Sequence, residues 1–182
     1  MKRTTSITTR TGDNGTTHLF SGERVSKDCP QAHAYGDLDE VVSLLGVARA
    51  LSPNADTVAR LESLQRRLFV VGAELATSRE HLARLRERVD EAMLAQLDRE
   101  REDLEAALPA PGGFILPGGT PAAAHIDLAR AVTRRCERKV VGLMEQGVMT
   151  NETLLVWLNR LSDYLWLLAR AEENGKTVMK DT

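Results

Sequence analysis

The sequence predicts an all-α protein, a five-helix bundle preceded by an N-terminal loop region, on three observations. Aromatic residues are only 4% of the chain, which leaves little of the material that favours strands. Leu, Ala, Arg and Glu dominate, as in long helices. From His33 onward, apolar side chains recur at steps of three and four rather than two. With 182 residues, 42% of them hydrophobic, the chain can bury one substantial core, so a single domain over 1–182 is expected, with 1–30 as the loop region and 33–174 as the bundle.

The elements follow in order. Leu38, Val41, Val42 and Leu45 set a helix from about His33 to Leu51, stopped by Pro53. Leu61, Leu64, Leu68, Val71 and Leu75 form the seam of a second, from about Asn54 to Thr77. A charged third helix, about Asp90 to Leu108, keeps Leu94, Leu97, Leu104 and Leu108 on one side and reads as the outer helix. Pro109 and Pro111-Gly112-Gly113 end it, and Thr120-Pro121 supplies an N-cap and a first-turn proline for a fourth helix running to about Gln146. The fifth spans about Asn151 to Asn174, where Asn174-Gly175 supplies a stop. The arginine-rich stretch Arg79–Arg88 reads as a mobile crossover. The first 30 residues are rich in Thr, Ser and Gly without an apolar period, the pattern of a functional loop with room for a short hairpin.

Composition removes several classes of function. A net charge of −2 provides no field for nucleic acid or an anionic membrane. Apolar runs such as Leu154–Leu158 fall far short of the roughly 20 residues that span a bilayer. No apolar signal region follows Met1-Lys2-Arg3-Thr4, and Cys29 and Cys136 form no Cys-x-x-Cys pair, so a soluble protein of the reducing cytoplasm is expected. None of His18, His33, His81 and His125 has Glu three residues before it, so the ligand pair of di-iron bundles is missing and no protein-bound transition metal is expected. The absence of a Gly-x-Ser-x-Gly elbow argues against acyl transfer.

Four groups of residues could carry chemistry. In Thr9-Arg10-Thr11-Gly12-Asp13-Asn14-Gly15-Thr16-Thr17, hydroxyls and backbone N–H groups can converge on an anion, with Arg24 and Lys27 close behind, although a Thr-rich turn would look the same. In Tyr35-Gly36-Asp37-Leu38-Asp39-Glu40, Asp37 suits a helix cap, whereas Asp39 stands at the edge of the packing face, where a carboxylate wants a cation. Arg130, Arg134 and Arg138 form a row at i, i+4, i+8 beside Glu137; either a solvated ion-pair face or a phosphate clamp fits it. Asn159, Asp163, Trp166 and Arg170 stripe the apolar fifth helix, as a ligand site or as a buried network of Asn159, Ser162 and Asp163. Cys136 reads as a small buried residue.

Taken together, Thr11-Gly12-Asp13-Asn14-Gly15-Thr16-Thr17, Arg24-Val25-Ser26-Lys27, Tyr35-Gly36-Asp37-Leu38-Asp39-Glu40, Phe114-Ile115-Leu116-Pro117-Gly118-Gly119, the stretch from Arg130 to Arg138 and Asn159-Arg160-Leu161-Ser162-Asp163 resemble the PduO-type ATP:cob(I)alamin adenosyltransferases in order and approximate spacing. The likeness runs from about Thr8 to Arg170. It implies a homotrimer of five-helix bundles with active sites between subunits, transferring the 5′-deoxyadenosyl group of ATP to cob(I)alamin, with Mg2+ accompanying the triphosphate. It also implies a nucleotide site of Thr9, Arg10, Thr11, Gly12, Asp13, Gly15, Thr16, Thr17 and Lys27 from the loop, joined by Arg134, Glu137, Arg138, Asn159 and Asp163. Asp39 would pair across the interface with Arg130. Phe114 would lie beneath the corrin and keep its lower ligand displaced, completing a catalytic set of Arg134, Phe114, Asp39 and Arg130. Relatives commonly carry alanine at Cys136 and tyrosine at Trp157. A carrier that holds ATP or adenosylcobalamin for a dependent enzyme, without turnover, would use the same loop and arginines; a purely structural trimer would not need the loop.

Overall fold

The computed structural model describes residues 7–110, 113–175 and 177–179. The helix breakers Pro111 and Gly112 lie outside the described residues.

Five helices form where the apolar spacing places them: α1 Pro30–Leu51, α2 Ala55–Leu75, α3 Glu91–Ala107, α4 Pro121–Glu145 and α5 Glu152–Glu173. Three start on side-chain caps. The Asn54 side chain accepts from the N–H groups of Asp56 and Thr57, Asp90 from Met93, and Thr120 from Ala123. At the end of α5, Asn174 takes the left-handed conformation, φ 46°. The one displaced boundary is the start of α1. Pro30 opens that helix at its first position, three residues before the apolar period begins.

Packing follows the periodicity. Helix α4 lies between α1 and α5, with α2 against α1 and α3 against α5. Side chains on α2 close the circuit: Arg67 donates to Glu100 on α3 at 2.6 Å, and Arg60 donates to the Tyr164 hydroxyl on α5 at 3.4 Å. Within this frame Leu45, Leu61, Leu64, Leu97, Ile126, Leu143, Trp157 and Tyr164 are fully buried. Truncating one such leucine to alanine costs roughly 2–5 kcal/mol.

Two short ribbons complete the described chain. β1 Thr16–His18 pairs antiparallel with β2 Arg24–Ser26, the hairpin for which the loop region had room. β3 Ile115–Leu116 pairs with β4 Val178–Met179, so the segment after α5 returns to the loop before α4. A two-residue strand has no alternation to read, and this ribbon has no sequence signal.

The stretch 79–88 differs from the mobile crossover expected of it. Arg79–Arg84 forms a 3-10 turn with Leu82 buried. Beyond it, Arg88 donates through Nε and Nη2 to the fully buried Glu74 carboxylate at 3.0 and 2.8 Å, and Val89 N–H donates at 2.9 Å. Asn151, at the start of α5, supplies a further donor to Glu74 at 2.9 Å. The stretch is therefore pinned through a carboxylate that would be costly to bury alone.

Candidate active site

The loop ahead of β1 is held open by its glycines. Lys27 N–H donates to the Gly15 carbonyl at 2.9 Å, folding the end of β2 back over the loop. The Lys27 side chain then crosses Gly12 so closely that a Cβ there would stand 3.1 Å from Cε and 3.2 Å from Nζ. It would also stand 3.0 Å from the Thr16 carbonyl oxygen. Gly15 has φ +79°, and Arg10 is also left-handed at φ 58°. Asn14 accepts from both N–H and Oγ1 of Thr16, while Arg24 Nε donates to Thr16 Oγ1 at 2.8 Å. Thr9 and Thr11 share a hydroxyl contact at 3.0 Å. The result is a solvent-facing turn lined with hydroxyls, in which Lys27 is exposed and has no ion pair among the described residues. Asp13 is exposed as well.

The hairpin is fastened at its other end by a cluster without a local sequence signal. Leu19 is buried, and Phe20 N–H donates to the Ala76 carbonyl at 2.7 Å. Glu23 accepts from Ser21, from Ser78 Oγ at 2.6 Å and pairs with His81 Nδ1. These bonds, that from Ser21 foremost, hold the Glu23 carboxyl down at about 2. Its partners Ser78 and His81 lie more than fifty residues away, beyond the reach of pattern reading.

On α1 it is Asp37, not Asp39, that finds cations within the chain. Because α1 starts at Pro30, Asp37 lies well inside the helix and is not its cap. It is buried, with Arg135 Nε at 3.1 Å and Lys139 Nζ at 2.8 Å, both from α4. Arg135 also reaches Glu40. Asp39 projects into solvent without a partner among the described residues. Arg130 is half-buried, and its Nε lies 3.7 Å from Asp127 Oδ1, with neither atom hydrogen-bonded.

The arginine row is not an ion-pair face. Arg134 and Arg138 are exposed; Arg138 donates to the Arg134 carbonyl at 3.0 Å, and the Arg134 guanidinium has no partner among the described residues. Glu137, half-buried on the same side, accepts from Asn159 Nδ2 at 2.9 Å, so α4 and α5 present Arg134, Glu137, Arg138 and Asn159 together. The buried network of Asn159, Ser162 and Asp163 does not form. Asn159 and Asp163 are exposed, and Ser162 turns back to the Asn159 carbonyl at 2.8 Å. Asp163 stands 3.8 Å from Arg160. Among the described residues no hydrogen bond or ion pair joins residues 9–27 to this α4/α5 group.

Phe114 is 82% exposed on the loop before β3, not core. Its neighbour Ile115 lines a cavity of about 640 Å³, together with Leu108, Pro109, Trp166, Leu167, Arg170 and Met179. Further down α4, Cys136 is buried, donates to the Ala34 carbonyl at 3.4 Å, and has its thiol pushed up to about 12 by that burial. Trp157 is buried, its Nε1 without a partner among the described residues.

The sequence profile of the cobalamin adenosyltransferase family matches residues 7–172. The chain belongs to this family. It is 40% identical over 172 residues to a corrinoid adenosyltransferase of Citrobacter freundii, covering 94% of this chain and 97% of the relative. It is 39% identical over 168 residues to the corrinoid adenosyltransferase PduO of the same organism, of which it spans half the length. Among solved structures, a variant PduO-type ATP:corrinoid adenosyltransferase from Lactobacillus reuteri complexed with cobalamin and ATP superposes with a TM-score of 0.85 at 32% identity, over 97% of this chain and 99% of that one. Membership gives the exposed Lys27, Arg134 and Phe114 a common context. Three residues that no motif singled out enter with the structure: Asp127, Glu23 and Glu173.

Proposed function

We propose that this family member transfers the 5′-deoxyadenosyl group of ATP to a cobalt(I) corrinoid, releasing adenosylcobalamin and triphosphate. The observation that carries the proposal is Phe114, an exposed aromatic on a loop beside a 640 Å³, largely apolar cavity, in a chain whose unpaired Lys27 and Arg134 face solvent. A carrier could use the same cations, but it has less need of an aromatic wedge at the corrin's lower face.

In the reaction the cobalt(I) electron pair attacks C5′, the new cobalt–carbon bond forms, and the C5′–O bond breaks, its electrons leaving with triphosphate. No proton moves, so no general base is needed. The chain aligns cobalt and C5′ and stabilises the charge gathering on the leaving group. Lys27, the loop N–H groups and the hydroxyls of Thr9, Thr11, Thr16 and Thr17 hold phosphate oxygens, with Arg10 and Asp13 bordering them. Arg134 and Arg138 supply guanidinium groups from α4, while Asn159 and Asp163 orient the nucleoside from α5. Phe114 keeps the lower axial ligand away, which makes cobalt(II) easier to reduce.

Magnesium accompanying the triphosphate would find a hard oxygen donor in the Glu137 carboxylate, which Asn159 Nδ2 holds at Oε1. When bound, it neutralises triphosphate charge. A homotrimer would bring the loop of one subunit to α4 and α5 of the next and would set the partnerless Asp39 against Arg130. We further place the protein in the cytoplasm, delivering adenosylcobalamin to a dependent enzyme. Among the described residues no helix is long and apolar enough to cross a membrane.

The test mixes protein, ATP, magnesium and chemically reduced cobalamin and follows the corrin absorption spectrum. Conversion to the adenosylated form supports the reading; a bound but unchanged corrin would establish the carrier instead.

A further inference from the structure

Glu173 breaks a local rule. It is a fully buried carboxylate in the last turn of α5, where the helix dipole disfavours negative charge. Four donors sustain it: Arg170 Nε at 2.9 Å, Arg170 Nη2 at 3.0 Å, Gly119 N–H at 3.2 Å and Thr177 Oγ1 at 2.6 Å. Arg170, itself buried, is balanced from α4 by Asp127 and lies over the Trp166 ring, 5.5 Å from its centroid. Helix stability does not explain this arrangement, because replacing the ion cluster with apolar side chains would serve α5 as well.

Its placement does explain it. Gly119 lies in the short connection from β3 to α4, Phe114 stands immediately before β3, and Thr177 directly precedes β4. β4 in turn pairs Met179 with Ile115, the neighbour of Phe114. One carboxylate therefore fastens a segment next to each strand of the ribbon that Phe114 adjoins, after β3 at Gly119 and before β4 at Thr177, and Arg170 beside it forms part of the cavity lining. Through Asp127 the cluster also approaches Arg130.

We propose that Glu173 is a positioning residue that holds Phe114 at the lower face of the corrin, acting through Gly119 and Thr177. The proposal rests on the adenosyltransferase reading for its chemistry, but not for its geometry. A mutation at Glu173 or Thr177 then loosens the wedge and leaves the nucleotide half of the site untouched.

The experiment compares Glu173→Gln, Thr177→Val and Phe114→Ala, alone and combined, with cobalt(II) cobalamin, ATP and a reductant. Thr177→Val removes one hydroxyl from a half-buried position, so it carries the test even where Glu173→Gln does not fold. Expected are an approximately tenfold lower kcat for Glu173→Gln, in keeping with a lost charged hydrogen bond, and a smaller loss for Thr177→Val. KM for ATP should be unchanged, and the four-coordinate cobalt(II) signal reduced. In the Phe114→Ala background neither change should lower kcat further, because both act through that ring. Losses that add in the double variants, or an undiminished four-coordinate signal in Thr177→Val, would overturn the proposal. Wild-type protein without transferase activity would count against the enzymatic reading alone. The positioning claim would then be decided by amide exchange at Ile115 and Leu116: faster exchange in Thr177→Val supports it, and unchanged exchange refutes it.

Discussion

Gly12→Ala isolates the role of the phosphate loop, because its effect can be worked out from three distances. Gly12 does not have a positive φ, so alanine introduces no backbone strain. The added Cβ would sit 3.0 Å from the Thr16 carbonyl oxygen, 3.1 Å from Lys27 Cε and 3.2 Å from Lys27 Nζ. The Thr16 carbonyl belongs to β1 and can give only by tenths of an ångström, whereas the end of an exposed lysine can swing away. Lys27 is thus the group that moves furthest, while the contact to the Thr16 carbonyl also requires the turn to give by a few tenths of an ångström. If Lys27 holds phosphate as proposed, losing that charged hydrogen bond removes roughly 1.5–3 kcal/mol of binding, about one to two decades in kcat/KM for ATP. The melting temperature should fall only slightly, since the contact to the Thr16 carbonyl is relieved by a small shift of the turn and no core side chain is involved. Gly15→Ala is the control: its Cβ meets nothing within 4 Å, but its φ of +79° adds roughly 1–2 kcal/mol of strain. It should lower stability more than Gly12→Ala and displace Lys27 less. Steady-state kinetics at varied ATP and a thermal melt of each variant make the comparison. A Gly12→Ala enzyme with wild-type KM for ATP would refute the placement of Lys27 on phosphate.

Other predictions concern the remaining parts of the site. Arg134→Ala should lower kcat/KM by at least about tenfold at unchanged helical circular dichroism, since its guanidinium has no partner to lose among the described residues; near-normal turnover would remove it from the site. Asp39→Ala and Arg130→Ala should each be nearly inactive, yet the two mixed after dissociation and reassembly should recover about one site in four, because each intact pair then comes from two different chains. Recovery of none would contradict an intersubunit site. For Glu23, a carboxyl held at about 2 against 4.5 stabilises the fold fully above pH 4.5, and that contribution is lost as pH falls toward 2. The stability gap between wild type and Glu23→Gln should therefore close over that interval in acid melts, and a gap independent of pH would show that the Ser21, Ser78 and His81 contacts do not anchor the hairpin.

The helices were legible because each buries one apolar stripe, and the stripe is written in the spacing of Leu38 to Leu45 or Leu61 to Leu75. Phe114 could be placed on a loop because prolines and glycines flank it. What sequence could not supply were partnerships across long separations. Asp37 looks like a cap until the helix is seen to begin at Pro30; its cations come from Arg135 and Lys139 on α4. Asn159, Ser162 and Asp163 fit either a buried network or a ligand site from sequence, but the face of α5 that carries Asn159 turns outward to Glu137. The stretch Arg79–Arg88 reads as a mobile crossover, yet Arg88 folds onto the buried Glu74. In each case local pattern identifies a polar residue near an apolar face, and only the packing decides which side of that face it occupies.

The central claim is tested most directly by the product balance of a single turnover. Protein, ATP, magnesium and stoichiometric cobalt(I) cobalamin are mixed without oxygen, the corrin is followed by absorbance, and the phosphorus products are identified by nuclear magnetic resonance. Attack at C5′ predicts adenosylcobalamin and intact triphosphate in equal amounts. ADP with inorganic phosphate, or ATP recovered whole beside an unmodified corrin, would contradict it.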